Sequence, residues 1–349
     1  MKQSTYLTLL LFLLPIGMKA QIGGRHAFDF VNIPVSARTL ALGSINVSTQ
    51  DEDLMMAIDN PALLNEDMHN RVGISLSPYV GGIFHEYVGY ARHFEGVGTF
   101  HSAVQVINYG EMTEADATGQ VLGSFSANEF AWVVGYSRKQ GIFRYGANMK
   151  LLISQLAPGF SASGIAMDFG AAYRSKSELF HAGISVQNLG VQLTNYTASG
   201  ERYPLPFQVV AGVSNKLKYM PLRFSITATN LEQPILIYQD PNPQPVIDPF
   251  TGEEIQPENT FFDNLFRHFV FGTEFLLGNA LRLRAGYNYM RRQELRPENR
   301  GGFTGFSLGV GVNSRRVAFN YGYASYGIGN AFNSHQFSAI INLSKPEAE

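Results

Sequence analysis

The sequence contains no cysteine. That excludes a lipid anchor on an N-terminal Cys, a disulfide framework and thiolate chemistry, and in an exported chain it fits a Gram-negative envelope. Charge is sparse, at 15% of residues, and the formal net charge of −2 gives no basic patch or stripe of the kind a nucleic-acid binder needs. No run approaches the roughly 20 apolar residues of a transmembrane helix. The apolar stretch Leu7 to Leu14 is too short to span a bilayer. With Lys2 ahead of it, it reads as the core of a cleavable signal peptide over residues 1–20. Cleavage after Ala20 leaves Gln21 first, with Met18 at the −3 position larger than the usual small residue.

What the chain does have is glycine, tyrosine and phenylalanine, 35, 17 and 26 of them in 349 residues. From Arg71 onward, apolar and polar residues alternate with the period of a β-strand. Phe143, Tyr145, Met149, Leu151 and Ile153 fall on one face, against Arg144, Gly146, Asn148 and Lys150 on the other. Ile165, Met167 and Phe169 likewise oppose Asp168 and Gly170, and Leu281, Leu283 and Tyr287 oppose Arg282 and Arg284. Counting such segments gives about fourteen strands, an even number, as in a bacterial transmembrane barrel. A soluble β-sandwich alternates in the same way. It does not need a second face rich in Gly and charges of both signs, and it does not account for the export signal.

The connections alternate as well. Tight links at Phe94–Gly98, Lys139–Ile142, Arg174–Glu178, Leu217–Pro221, Gly278–Ala280 and Asn313–Arg316 interleave with longer polar ones. The longer ones are Gly110–Phe125, Leu156–Ser163, Gly190–Leu205, Glu232–Leu265, Arg291–Gly302 and Ser325–Ser334. Outer-membrane barrels place short turns in the periplasm and long loops outside, so both termini are expected to be periplasmic. The organisation expected is a signal peptide at 1–20, a plug or hatch segment at 21–70, an all-β antiparallel barrel at 71–344 and a polar tail at 345–349.

Residues 22–70 do not alternate. They hold Asp51-Glu52-Asp53 and Asn60-Pro61-Ala62-Leu63-Leu64, in which Asn60 can cap a short helix that starts at Pro61. The segment is either a local cap or a plug folded into the lumen, because a barrel of about fourteen strands is wide enough to conduct or to need filling. The inward-facing Arg144, Lys150, Asp168, Arg174, Arg223, Glu274, Arg282 and Arg284 carry both signs. This favours mutual pairing over the single-sign field of a selective pore. The acidic run at 51–53 could hold a cation, although solvated loop charges or helix-start charges are the commoner explanation.

Catalytic signals are weak. Gly305-Phe306-Ser307-Leu308-Gly309 matches the nucleophile-elbow string but lies inside an alternating strand, without the strand-to-helix turn that exposes such a serine. The eight His residues offer no pair at metal-ligand spacing on one element, and His85, His93 and His101 are spread over two strands. No enzyme activity, cofactor or metal is expected. The stretch from Glu232 to Leu265 holds Pro234, Pro241, Pro243, Pro245, Pro249 and Pro257 among apolar side chains. It reads as a stiff outer loop, either a lid over the barrel mouth or a docking surface, with Tyr238, Phe250 and Phe261 as candidate aromatic anchors.

The order small-Arg-x-x-Ala-Leu-Gly at 37–43, an acidic stretch and then Asn60-Pro61-Ala62 before the first strand resembles the start of the FadL-like long-chain fatty-acid transporter superfamily. Val186-Gln187-Asn188-Leu189-Gly190 and the opening 23–38 make the chain most similar to the PorQ family, sister to the PorV family, in the type IX secretion system of Bacteroidota. The resemblance implies an outer-membrane protein without catalytic residues. It would hold a PorZ-like extracellular partner in the attachment complex that works beside PorU and PorV on secreted cargo. The superfamily resemblance leaves a second role open, as a FadL-like transporter of hydrophobic molecules.

Overall fold

A computed structural model of the chain describes residues 26–197, 200–237, 261–278, 280–295, 302–326 and 333–344. Fourteen antiparallel strands form a closed barrel in sequence order. They are β1 (Arg71–Pro78), β2 (Phe84–Phe94), β3 (Gly98–Ala115), β4 (Val121–Gln140), β5 (Phe143–Ala157), β6 (Phe160–Arg174) and β7 (Phe180–Thr194). Then come β8 (Gln208–Lys216), β9 (Leu222–Ala228), β10 (Phe269–Leu277), β11 (Leu281–Asn288), β12 (Phe306–Asn313), β13 (Val317–Ala324) and β14 (Ser334–Asn342). The ends of the sheet meet with Arg71 opposite Asn342 and Leu76 opposite Phe337, so no edge is left along the seam. The expected signal peptide and the tail at 345–349 lie outside the described residues.

The alternation read from the sequence appears here as an inside and an outside. Val88, Trp132, Met149, Phe169, Ile226 and Phe319 point outward and are exposed, while Gln105, Asn148, Asp168, Ser214 and Gln336 point inward and are buried. An apolar outer wall with a polar interior is the arrangement lipid requires, the reverse of a soluble protein. Aromatic rings mark the tight-turn end: Phe94 lies 5.8 Å from Phe100, Phe100 4.9 Å from Tyr136, and Phe143 5.6 Å from Tyr173. At the other end Tyr287 lies 4.7 Å from Phe306, completing the two-level pattern of an interfacial girdle.

Residues 26–70 run through the interior as short turns. α1 (Ala37–Ala41) is capped by Ser36, and the 3-10 turns Leu54–Ala57, Pro61–Leu63 and Glu66–Met68 are capped by Asp53, Asn60 and Asn65. Each cap accepts a backbone N–H two residues on. Such frequent local capping favours turns over strands in this stretch. The wall meets the segment through glycines: a Cβ on Gly183 would collide with the Val47 carbonyl, one on Gly286 with the backbone at Leu42–Gly43, and one on Gly322 with the Ala37 carbonyl. Much of the glycine richness of the inner face is therefore the room that the segment's backbone needs.

Several outer connections differ from their sequence reading. Gly110–Phe125 is not a polar loop: β3 and β4 stay paired from Glu111 opposite Ser126 to Ala115 opposite Val121. Leu156–Ser163 shrinks to a tight turn, with Ala157 opposite Phe160, and β7 continues through Gly190 to Thr194. Where both faces of a ribbon are wet, the apolar–polar alternation disappears although strand pairing continues. The long stretch before β10 ends in α2 (Phe261–Arg267), and the one after β11 begins with α3 (Tyr289–Leu295).

The orientation can be tested with single cysteines, the chain having none. On intact cells an impermeant maleimide is expected to label Ala117→Cys, in the β3–β4 turn, and to spare Lys176→Cys, in the β6–β7 turn. Labelling at 176 alone would invert the topology.

Candidate functional site

The interior is organised around one guanidinium. Ser36 starts α1 and thereby places Arg38 on its first turn, pointing at the wall. Arg38 Nε and Nη2 donate to the two carboxylate oxygens of Glu274 on β10, each at 2.9 Å. Its Nη1 and Nη2 donate to Asp51 Oδ1 and Oδ2 at 2.8 and 2.7 Å. The planar fork of Arg suits two bidentate carboxylates in a way that a Lys ammonium could not. Arg223 Nη1 reaches both Asp51 and Glu274 at 3.0 Å, Arg284 Nε donates to Glu274 at 2.9 Å, and Arg284 Nη1 is held by Asn320 at 2.8 Å. Asp53 completes the group, 3.7 Å from Arg38.

The cluster is balanced in number, Arg38, Arg223 and Arg284 against Asp51, Asp53 and Glu274. Burial would raise the Asp51 carboxyl, but Arg38 and Arg223 override it and hold the group well below the usual carboxylate range. Burial wins at Asp53, pushed up to about 6, and at Asp59, pushed up to about 7 with Asp53 and Lys150 as its charged neighbours. Glu66 is brought down to about 2, because its hydrogen bonds and the Arg144 guanidinium outweigh its burial.

A second buried knot sits at mid-height. Lys150 Nζ lies 2.9 Å from Asp168 Oδ2 and donates to Asn188 Oδ1 at 2.8 Å. The Asn188 backbone N–H donates to Asp168 Oδ1 at 2.8 Å, and its amide donates to Pro206 O and to Asn32 Oδ1. Asn188 has φ 56°, and the β6–β7 register shifts between Met167 and Phe169. This bulge turns consecutive residues Gln187 and Asn188 inward, both buried. Pairing of β7 with β8 ends at Gln187 opposite Gln208, so Asn188–Thr194 pairs only with β6.

The remaining interior is packed or polar. Phe28, Phe30 and Val31 fill an apolar space against Ile107, Ala131, Leu152 and Ala166, with Phe28 lying 6.3 Å from Tyr196. A cavity of about 560 Å³ opens at the tight-turn end and is lined by Arg38, Asp51, Arg71, Arg223 and Arg282. Another of about 340 Å³ at the opposite end is lined by His26, Asp29, Asn32, Ser44 and Asn230. Both cavities are lined largely by polar and charged side chains.

Of the residues singled out in the sequence, Asn60 does cap its turn. Its Oδ1 accepts from Ala62 N at 3.0 Å and its amide donates to Val47 O at 2.8 Å, while Pro61 and Ala62 pack against Gly146 of the wall. Phe261 opens α2 and is 74% exposed, with its ring 5.7 Å from Phe262; Tyr238 and Phe250 lie outside the described residues. Ser307 donates to Ala41 O at 3.0 Å and has no basic partner among the described residues. Among the described residues, no group of three His, Asp or Glu is arranged to hold a metal ion. The acidic run at 51–53 is not a solvated loop, and of its members Asp53 is a helix-start charge, capping Leu54–Ala57 by accepting from Met55 N at 3.1 Å. Asp51 and Asp53 belong to the Arg38 cluster, and Glu52 pairs with Arg71 at 2.9 Å. Arg144 binds Glu66 and Arg174 binds Glu178, whereas Arg282 donates to the Gly278 carbonyl at the rim. The cluster's centre, Arg38, was visible in the sequence only as part of a family-like motif.

No protein-family model and no curated protein sequence matches the chain. Solved structures do. The P. putida toluene transporter TodX aligns with TM-score 0.51 and 12% identity over 90% of this chain and 100% of that one. The deltaS2 mutant of the TodX monoaromatic hydrocarbon channel gives TM-score 0.51 and 12% identity over 90% and 98%. A Pseudomonas aeruginosa FadL homologue gives 0.48 and 10% over 89% and 98%. The likeness to TodX is one of fold, a closed antiparallel β-barrel.

Two outcomes test the cluster. Glu274→Gln leaves three guanidiniums facing only Asp51 and Asp53 and is expected to weaken docking of residues 26–70 by about 3 kcal/mol, read as faster proteolysis of that segment in the folded barrel. Replacing Arg38 and Glu274 together by Met should recover part of the loss, since neither charge is then left buried alone. The second outcome concerns pH. A released segment ionises near pH ~4, so between about pH 4 and pH 7 the docked Asp53 and Asp59 keep protons that the released form has lost. Docking should therefore weaken as pH rises through that window. Asp51 and Glu66 act in the opposite sense, but only below it. Through these two groups proteolysis at 26–70 should be faster at the upper end of the window, and Asp59→Asn should reduce that pH dependence; a pH response unchanged in Asp59→Asn would contradict the assignment.

Proposed function

We propose that this barrel is a closed outer-membrane anchor that holds a secreted protein at the cell surface, in the manner the resemblance to the PorQ family implies. The observation that carries this reading is the filling of the lumen by residues 26–70, fastened to the wall through Arg38, Glu274 and Arg223. A barrel closed in this way is suited to carry something on its outer face, and the docked partner would be a PorZ-like extracellular protein in a complex with PorU and PorV. The protein acts without catalysis. Phe261 and Phe262, 74% and 68% exposed on α2 beyond the barrel wall, supply apolar anchors of the type that concentrate binding energy.

A second reading, a channel for hydrophobic molecules, is favoured by two specific observations. The fold is similar to that of a toluene transporter, so the structural comparisons lean toward this reading rather than toward the first. In addition, among the described residues β7 beyond Gln187 has no strand partner on its β8 side, close to the apolar cluster that Phe28, Phe30 and Val31 occupy. Withdrawal of those three side chains would vacate an apolar space beside this unpaired stretch of β7.

One preparation separates the two. For an anchor, protein reconstituted in liposomes should conduct little and should not speed the entry of toluene, and the wild-type barrel gently solubilised from native membranes should carry a secreted protein with it. Replacing Gln233–Asn264 by a short Gly/Ser link should release that protein while the barrel stays heat-resistant. Accelerated toluene entry with no co-purifying partner would overturn the anchor and establish the channel.

A further inference from the structure

The β3–β4 ribbon continues beyond the barrel wall without support. β2 stops pairing with β3 at Phe84 opposite Asn108, and β5 stops pairing with β4 at Gln155 opposite Asn128. Residues 109–127 then go on alone for about 20 Å, paired only with each other. From Glu111 to Ser124 every residue is exposed. Among the described residues, the backbone edges of β3 from Tyr109 to Ala115 and of β4 from Val121 to Ala127 have no neighbouring strand.

Such a ribbon on its own is marginal in water. It is nevertheless built as a fixed element. At its base Gly110 takes φ 80° and its N–H donates to Asn108 Oδ1 at 2.8 Å. At its tip Asp116 closes the turn, accepting from Thr118 N and Gln120 N, both at 2.9 Å, while Gly119 supplies φ 87°. β3 carries one extra residue at Tyr109–Gly110, at the base of the ribbon, and β4 carries one at Leu122, near the tip, so the regular part of the free β3 edge runs from Glu111 to Ala115.

Exposed edges are usually blunted by Lys, Pro, bulges or shortness, and here the bulge on β3 is confined to the base at Tyr109–Gly110. Residues 109–127 contain neither Lys, Arg nor Pro, and their charges are Glu111, Glu114 and Asp116, all of one sign. Met112, Val121 and Leu122 are 38%, 64% and 62% exposed on the same ribbon. An unblunted edge with exposed apolar residues is a template for strand addition, and the uniform acidity selects what is added. A second copy of the ribbon and an anionic lipid surface would both be repelled by like charge. An extended segment with basic side chains is attracted, because cross-strand neighbours of opposite sign are favourable.

We propose that the β3–β4 ribbon is a docking arm whose free β3 edge takes up, by strand addition, an extended basic segment of an extracellular protein. The proposal rests on the anchoring role above and assigns to it a surface separate from α2.

The test uses the full chain in nanodiscs of zwitterionic lipid and a fluorescent peptide of about eight residues alternating Lys and Val. The controls are empty discs, a Glu–Val peptide and a Lys–Val peptide N-methylated at alternate residues, which cannot add to a strand. Two variants are compared, one with residues 112–125 replaced by Asn-Gly and one carrying Glu111→Lys with Glu114→Lys. Both must keep the heat-shifted gel mobility of a folded barrel. The wild type should bind the Lys–Val peptide and neither control peptide, and each variant should bind about ten-fold more weakly or worse. Absence of binding to the wild type, or binding that survives shortening, overturns the proposal. A wild-type dimer lost on shortening would make the occupant a second copy and overturn it too. If a secreted partner co-purifies equally with wild type and shortened barrel, the docking arm falls and the anchor stands. If none co-purifies with the wild type, the anchor falls and the peptide result alone decides whether the ribbon binds.

Discussion

In hydrocarbon every backbone N–H and C=O must find a partner within the protein, and a sheet can meet that demand only by closing. Closure creates an interior, and the rest of this molecule follows from what is done with it. Fourteen strands enclose more space than their own inward side chains can fill, so residues 26–70 occupy it. The wall accommodates them with glycines where backbone meets backbone, as at Gly183, Gly286 and Gly322. It grips them with charge, chiefly through Glu274 and Arg223. Arg38 occupies the point at which segment and wall are joined, bound on one side to its own segment through Asp51 and on the other to β10 through Glu274.

The barrel is uneven in height. β3 to β7 are long, whereas β8 to β14 are short, and the step falls where Asn188 bulges and β7 parts from β8. This asymmetry bears on both functional readings. The taller side gives rise to the ribbon, and the step leaves the β8-side edge of β7 from Asn188 to Thr194 without a strand partner among the described residues. The knot of Lys150, Asp168 and Asn188 braces that step from within by tying the bulge to β5, β6 and the backbone at Pro206.

Strands and caps were legible in the sequence because their causes are local. Phe143 to Ile153 alternates because every second residue meets lipid, and Asn60 caps because its own side chain reaches Ala62 N. The Arg38–Glu274 contact was not legible. Its partners are 236 positions apart, and nothing local to Asp51 or Asp53 distinguishes a buried carboxylate from a solvated one. The ribbon was missed for the opposite reason: beyond the membrane neither face of β3 is apolar, so the signal that marks a strand fades while the strand goes on. Glycine richness was plain in the composition, but its purpose, close approach of a second backbone, required the segment to be in place.

The segment that fills the lumen also has a consequence for how the chain is made. It leads the chain, yet it is held by its latest parts: Arg38 by Glu274, the Ala41 carbonyl by Ser307, and the Pro34 carbonyl by Gln336, the last across 302 positions. Contacts of such separation are slow to form and carry a large loop-closure cost. The leading segment therefore cannot settle until the final strands exist and the first and last strands have met. A barrel that closes in the wrong register would present Glu274 and Gln336 at the wrong height, leaving Arg38 buried without its partner, so correct closure and correct filling must succeed or fail as a single event.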